Sequence, residues 1–254
     1  MSTANPEGLP VDDSTFHGRF ALVVGGSGGI GRAISIELSR RGARLLVHGR
    51  HASERTQGMK LGFHETFDAE FSSPGSFIHA LDARLDKIGA EPDIVICAFG
   101  PFQEKPLAQC TTEEWEWLTL ANLALPGALA SRFLPGMIAR KYGRFLFLGG
   151  TRTDGIRAYR KTAAYASAKT GLGVLAKSIA AEGASHNVAA VLVCPGPTET
   201  EYLDNETKIR HASLIPTGSL AQPECVARTS LNLIDADPCI ASGAIVSLDG
   251  GFAP

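Results

Sequence analysis

Several kinds of segment are missing from this chain of 254 residues, and each absence removes a class of function. No apolar run approaches the roughly 20 residues that a helix needs to cross a bilayer. The opening "MSTANPEGLPVDDSTFHG" has neither a basic start nor an apolar stretch, so no signal peptide is expected, and residues 1–17 read as a polar, flexible arm. Cysteine is scarce: Cys97, Cys110, Cys194, Cys225 and Cys239 stand far apart without CxxC spacing, which argues against a disulfide framework or a structural zinc. The seven histidines form no HExxH pattern, and no metal site is expected. GxSxG, the nucleophile turn of many hydrolases, is absent as well. Lys and Arg number 24 against 26 acids, a net charge of −2, so neither nucleic acid nor a membrane surface is an expected partner. Unpaired thiols without a leader make a reducing, cytoplasmic setting the default.

What is present is a regular alternation. Short apolar runs ("RFALVVGG", "ARLLVHG", "PDIVICAFG", "GRFLFLGG", "NVAAVLVCPG", "GAIVSLDGG", and a weaker one at "HETFDAEF") alternate with amphipathic or alanine-rich stretches. That pattern predicts an α/β fold, a seven-stranded parallel sheet with helices on both faces. One helix is expected over about 113–141, bent or interrupted at Leu125–Gly127. No internal repeat or linker divides the chain, so residues 18–254 are expected to form a single domain. Ligands of such sheets bind beyond the carboxyl ends of the strands.

The first strand ends in "GGSGGIGRA", readable as GxGxxG (Gly26, Gly28, Gly31) or as GxxxGxG (Gly25, Gly29, Gly31). Either way, small residues bring backbone N–H groups and a helix N-terminus against a pyrophosphate. Gly25, Ser27, Gly28, Gly29, Ile30 and Gly31 are therefore candidate cofactor-binding residues, with Gly100 at the end of the fourth strand. After the second strand an acid would favour NAD, but the sequence there is "VHGRH". Arg50 instead offers a planar cation suited to a phosphate, which favours NADP. A solvated surface arginine is the alternative.

Tyr165 and Lys169 in "YASAK" lie four positions apart, on one face of a predicted helix. With "GGSGGIG", "CPGPTET" and "DGGF" in this order and spacing, the sequence resembles the classical short-chain dehydrogenase/reductase family over nearly its whole length. The resemblance implies a Rossmann-type, doubly wound sheet of seven parallel strands and NAD(P)-dependent interconversion of a carbonyl and a secondary alcohol, commonly in a homotetramer or homodimer. It implies that Tyr165 exchanges the proton, that Lys169 holds the nicotinamide ribose and favours the phenolate, and that Asn122 supports a water-linked proton path. It places Pro195, Gly196, Thr198 and Thr200 beside the nicotinamide and Asp68 beside the adenine, although Asp68 and Asn122 also suit ordinary capping roles.

Three departures from the family pattern stand out. Val24 replaces the usual threonine before the glycine turn, and "CAFG" replaces "NNAG", bringing Phe99 toward the adenosine side. The serine expected at the end of the fifth strand is Gly150, leaving Thr151 first and Thr153 second as substitutes for its hydroxyl. The loop "TRTDGIRAYRK" holds Arg152, Arg157, Arg160 and Lys161 against Asp154. A basic rim there would favour an anionic substrate (a carboxylate, a phosphate or a carrier-bound thioester, with a 3-oxoacyl thioester as the guess among them), and a merely solvated loop is the alternative. The competing reading is a dinucleotide-binding regulatory or scaffold protein whose catalysis is weakened by Gly150.

Overall fold

The computed structural model describes residues 15–252. Most of the expected N-terminal arm, residues 1–14, lies outside the described residues. Phe16 is fully buried and its N–H donates to the Arg41 carbonyl, so packing includes residues before 18, where the domain was expected to begin.

The chain runs β1 (Phe20–Val24), α1 (Gly29–Arg40), β2 (Arg44–Gly49), α2 (Ala52–Arg55), β3 (His64–Asp68), α3 (Pro74–Ile88), β4 (Ile94–Cys97) and α4 (Thr112–Thr119). It continues through α5 (Leu125–Arg140), β5 (Gly143–Leu148), α6 (Ala163–Gly183), β6 (Val188–Pro195), α7 (Asn205–Ala212), α8 (Pro223–Asn232) and β7 (Ile245–Leu248). All seven strands are parallel, in the order β3-β2-β1-β4-β5-β6-β7. The Rossmann-type expectation is met, with the reversal of strand order between β1 and β4.

Period-two alternation sends successive strand residues to opposite faces. Leu22, Val95, Phe145 and Leu192 meet apolar residues of α3, α5 and α6 on one side. Val23, Leu45, Ile96, Leu146 and Val193 meet α1 and α8 on the other. Both faces are dry, which is why the central strands read as continuous apolar runs.

The long helix expected over 113–141 is broken. A π-helical turn at Leu120–Ala124 separates α4 from α5. Pro126 has no N–H to offer the Asn122 carbonyl four residues earlier, so the α pattern cannot run through unchanged. The interruption was legible from "LPG", but it falls in the turn before the proline.

At the opposite end of the sheet from the candidate site, the fully buried Arg144 knits loops together. Its guanidinium donates to the carbonyls of Ile234 (3.0 Å), Asn187 (2.7 Å) and Ala236 (2.9 Å). Arg144→Met keeps the length and strands those acceptors. It is expected to lower stability by about 3 kcal/mol in urea unfolding, since each buried carbonyl left unpaired costs about 1–3 kcal/mol. A loss within error of zero would show that water replaces the guanidinium there.

Candidate active site

Glycine brings backbone together at the reversal point. Gly25 has φ +82°, and a Cβ on it would lie 2.6 Å from the Phe99 amide nitrogen. A Cβ on Gly31 would lie 2.1 Å from the Gly25 carbonyl oxygen. Only a residue without a side chain lets α1 start this close to β1. Gly28 caps α1 in extended conformation, Gly29 is its first residue, and Ile30 packs against the adjacent core. Ser27 is buried, its Oγ within 2.1 Å of where a Gly49 Cβ would stand, which explains the glycine at the end of β2.

His48 fixes this turn in place. Its Nδ1 accepts from the Gly25 N–H (3.2 Å), so its Nε2 carries the proton and donates to the Ala69 carbonyl (3.1 Å). The ring lies edge-on to Phe77 at 4.8 Å. Burial holds its pKa down to about 4, opposed by the Ala69 hydrogen bond. Phe99 turns its ring toward Phe71 (5.6 Å) and packs against the core. Arg50 is exposed and makes no hydrogen bond or ion pair among the described residues. Asp68, exposed at the end of β3, accepts from the Ser53 N–H (2.9 Å) and hydroxyl. Desolvation is the largest single influence and raises its pKa, but the hydrogen bonds from Ser53 and Ala52 together outweigh it and the carboxyl stays below its ordinary range.

Beyond β4, three residues converge. A Cβ on Gly100 would sit 2.3 Å from the Asn122 Oδ1 and 2.8 Å from the Lys169 Nζ. Asn122 is fully buried; its Nδ2 donates to the Pro101 carbonyl (3.0 Å) while its Oδ1 has no partner. Such an orphaned acceptor, 1–3 kcal/mol unfavourable if left dry, marks a polar space awaiting a donor.

Small residues let α6 approach the sheet, and only glycine fits at 173, because the Ile245 Cδ1 lies 2.8 Å from where a Cβ would stand. Lys169 is thereby buried and donates to the Leu148 carbonyl (2.8 Å) at the end of β5. Burial holds its ammonium down to about 8. Tyr165, on the same helix face, is half-buried, with Phe102 edge-on at 5.1 Å. Burial pushes its phenol above the usual tyrosine range, and the Cys194 thiol adds to this. The expected lowering by Lys169 is not seen: the ammonium is committed to Leu148 and stands 5.9 Å from the ring centroid. In this state the phenol is protonated at neutral pH and able to donate.

Gly150 explains how Tyr165 sits. A Cβ there would meet the ring and its hydroxyl at 2.7 Å, so the tyrosine occupies the space a serine side chain would need. Neither threonine has a proton to spare. Thr151 Oγ1 donates to the Pro195 carbonyl (3.2 Å). Thr153 Oγ1 accepts from the Gly150 N–H (2.8 Å) and donates to the Gly150 carbonyl (2.9 Å). Past β6, the Gly196 N–H donates to Leu248 (3.0 Å), a Cβ there would lie 2.6 Å from the Asp249 Cα, and Thr198 is buried against the Gly196 carbonyl. Thr200 is half-buried, its Cγ2 3.7 Å from the Gly29 Cβ position. The basic rim is partly neutralised, Arg157 pairing with Asp154 (3.2 Å) and Lys161 with Glu104 (3.5 Å). No group of His, Cys, Asp and Glu among the described residues could hold a metal, and no helix there is long and apolar enough to cross a membrane.

A family model described as enoyl-(acyl carrier protein) reductase matches residues 25–253. The 3-oxoacyl-[acyl-carrier-protein] reductase FabG of Escherichia coli is 30% identical over 250 residues, covering 93% of this chain and 98% of that enzyme. The chain belongs to the short-chain dehydrogenase/reductase family. Solved members share the fold of this dehydrogenase/reductase. The angucycline C-6 ketoreductase LanV with bound NADP superposes with TM-score 0.82 at 24% identity, covering 94% of this chain and 97% of that one. A 3-oxoacyl-[acyl-carrier protein] reductase with bound NAD from Brucella melitensis gives 0.83 at 21%, covering 99% and 98%. The family is one of oxidoreductases that use a nicotinamide dinucleotide. The glycine cradle, closed to any Cβ, and the orphaned Asn122 Oδ1 beside Lys169 fit such a cofactor.

Four residues near this site were not singled out from sequence: His48, Arg55, Tyr202 and Glu201. His48 had a faint signal, a lone histidine closing an apolar strand. The others depend on which loops meet.

Because its folded pKa is below the ordinary 6.5, His48 contributes stability that is present above pH 6.5 and lost as pH falls toward 4. The shift corresponds to about 3 kcal/mol. Urea unfolding at stepped pH is expected to show that loss in the wild type and a smaller one in His48→Gln. Parallel losses would assign the acid sensitivity to other groups.

Proposed function

We propose that this chain is an NADP(H)-dependent reductase of a carbonyl group, working between a ketone and a secondary alcohol. The observation that carries the reading is the convergence of Tyr165, Lys169, Asn122 and Gly100 beside the glycine cradle. A bound nicotinamide dinucleotide supplies or accepts the hydride. Tyr165 gives its proton to the carbonyl oxygen in reduction, and its raised pKa suits that direction. Lys169 holds the ribose from its anchor on Leu148, and Asn122 Oδ1 accepts from a water that links the proton path to solvent. Gly25, Ser27, Gly28, Gly29, Ile30 and Gly31 hold the pyrophosphate side, Asp68 borders the adenine, and Pro195, Gly196, Thr198 and Thr200 border the nicotinamide. The absence of an acid after β2, with Arg50 free of any carboxylate, supports NADP over NAD.

Thr151 stands in for the serine in this reading, by one rotamer turn of its hydroxyl from Pro195 toward the substrate. Arg160, exposed and without an ion-pair partner among the described residues, keeps the entrance favourable to an anionic substrate. The relatives named as 3-oxoacyl-carrier reductases make a 3-oxoacyl thioester the first substrate to try. A homotetramer or homodimer in the cytoplasm completes the reading; free thiols and the exposed Trp117, Leu120 and Val174 support it.

The commitment of both threonine hydroxyls favours a second reading, a dinucleotide-binding regulatory or scaffold protein with weak chemistry. Tyr165→Phe separates the two. An enzyme is expected to lose about 10²-fold or more in kcat with NADPH affinity within about twofold. Thr151→Val is expected to cost about tenfold or more in kcat. If wild type and Tyr165→Phe turn over equally slowly, the scaffold reading stands.

A further inference from the structure

The helix that opens the phosphate cradle is capped from far away in the chain. Gly28, at the N-cap of α1, has no side chain to offer, and the first turn of α1 holds no acid. The Gly29 N–H instead donates to the Glu201 Oε1 at 3.0 Å, from the segment between β6 and α7. Tyr202 lies beside it. A Cβ on Gly28 would stand 2.0 Å from the Tyr202 hydroxyl, and one on Gly29 would stand 3.0 Å from its ring. Arg55, at the end of α2, donates to the same hydroxyl (3.2 Å) and comes within 2.8 Å of the Gly28 Cβ position. An anion, a ring and a guanidinium from two separate segments therefore meet over the two glycines of the cradle.

A carboxylate on a free helix N–H is chemically what a phosphate oxygen is at the same place: an anion accepting from the positive end of the helix. The two cannot share that N–H. We propose that Glu201 and Tyr202 form an internal latch over the cradle, which an incoming dinucleotide displaces. Arg55 then exchanges the Tyr202 hydroxyl for a cofactor phosphate oxygen. This rests on the dinucleotide reading above and adds a regulation of that site: resting affinity is held down by the chain's own carboxylate. Glu201 and Tyr202 are both exposed, Tyr202 by 65%, so the latch is a light one that solvent and ligand can open. Arg55 has no ion-pair partner of its own among the described residues, and its guanidinium is therefore available for a phosphate.

The test uses the full chain and two readouts. The first is the Kd for NADPH and NADH by fluorescence titration of wild type, Glu201→Gln, Tyr202→Ala, Arg55→Met and, as a charge control on α7, Glu206→Gln. The latch predicts binding about 3- to 10-fold tighter in Glu201→Gln and Tyr202→Ala, no change in Glu206→Gln, and NADPH binding about tenfold weaker in Arg55→Met. Unchanged or weaker binding in the first two variants overturns the latch while leaving the dinucleotide reading in place. A gain of equal size in Glu206→Gln replaces it with a general charge effect, and unchanged NADPH binding in Arg55→Met removes Arg55 from the proposal. The second readout is amide hydrogen exchange over residues 28–31 without cofactor, expected to be faster in Glu201→Gln than in wild type. Equal exchange overturns the latch. If neither cofactor binds any variant, the dinucleotide reading fails, and the exchange difference alone decides whether Glu201 caps the helix.

Discussion

The site depends on one steric constraint, the approach of Gly31 to the Gly25 carbonyl, where a single Cβ would come within 2.1 Å of the oxygen. That contact sets how close α1 begins to β1, and so where its free N–H groups point. His48 secures the same turn from the second strand, linking the Gly25 N–H to the Ala69 carbonyl through one neutral ring. Serine at 27 and glycine at 49 follow from the same crowding. The glycine turn is thus built almost wholly from backbone and small residues, because nothing larger fits.

The chemical side is built on a different compromise. Gly150 and Tyr165 share one space: the missing side chain at 150 is where the phenol lies. The ring lies where a side chain at 150 would stand, and burial there raises its pKa. Lys169 does not offset this, since its ammonium is spent on the Leu148 carbonyl. The phenol keeps its proton at neutral pH, and the buried ammonium, held near 8, lies on the same helix face.

Placements that follow from local spacing were readable in the sequence. Tyr165 and Lys169 share a helix face because they are four apart, and the glycine turn is marked by its place after a strand. The break at Asn122 was visible through Pro126, though displaced into the preceding turn. Elements with weak apolar signals were harder: β3 is partly exposed at the sheet edge, and α7, which buries no residue fully, was not read as a helix. The direction of the Thr151 hydroxyl, the His48 brace and the approach of Glu201 to Gly29 were not readable. Each joins residues that only the completed sheet brings together, and no local pattern encodes the pairing. The tyrosine's raised pKa was missed for the same reason, because spacing fixes the neighbour but not the burial.

The central claim is that hydride leaves a nicotinamide in this cradle for a carbonyl beside Tyr165. The most direct measurement is to incubate the protein with NADPH deuterated at C4 and a short 3-oxoacyl thioester, and to locate the label by NMR. The account predicts deuterium on the carbinol carbon of a 3-hydroxyacyl product, from one face of the nicotinamide. Tight binding of NADPH with no label transferred to this or any other carbonyl compound tried would contradict it.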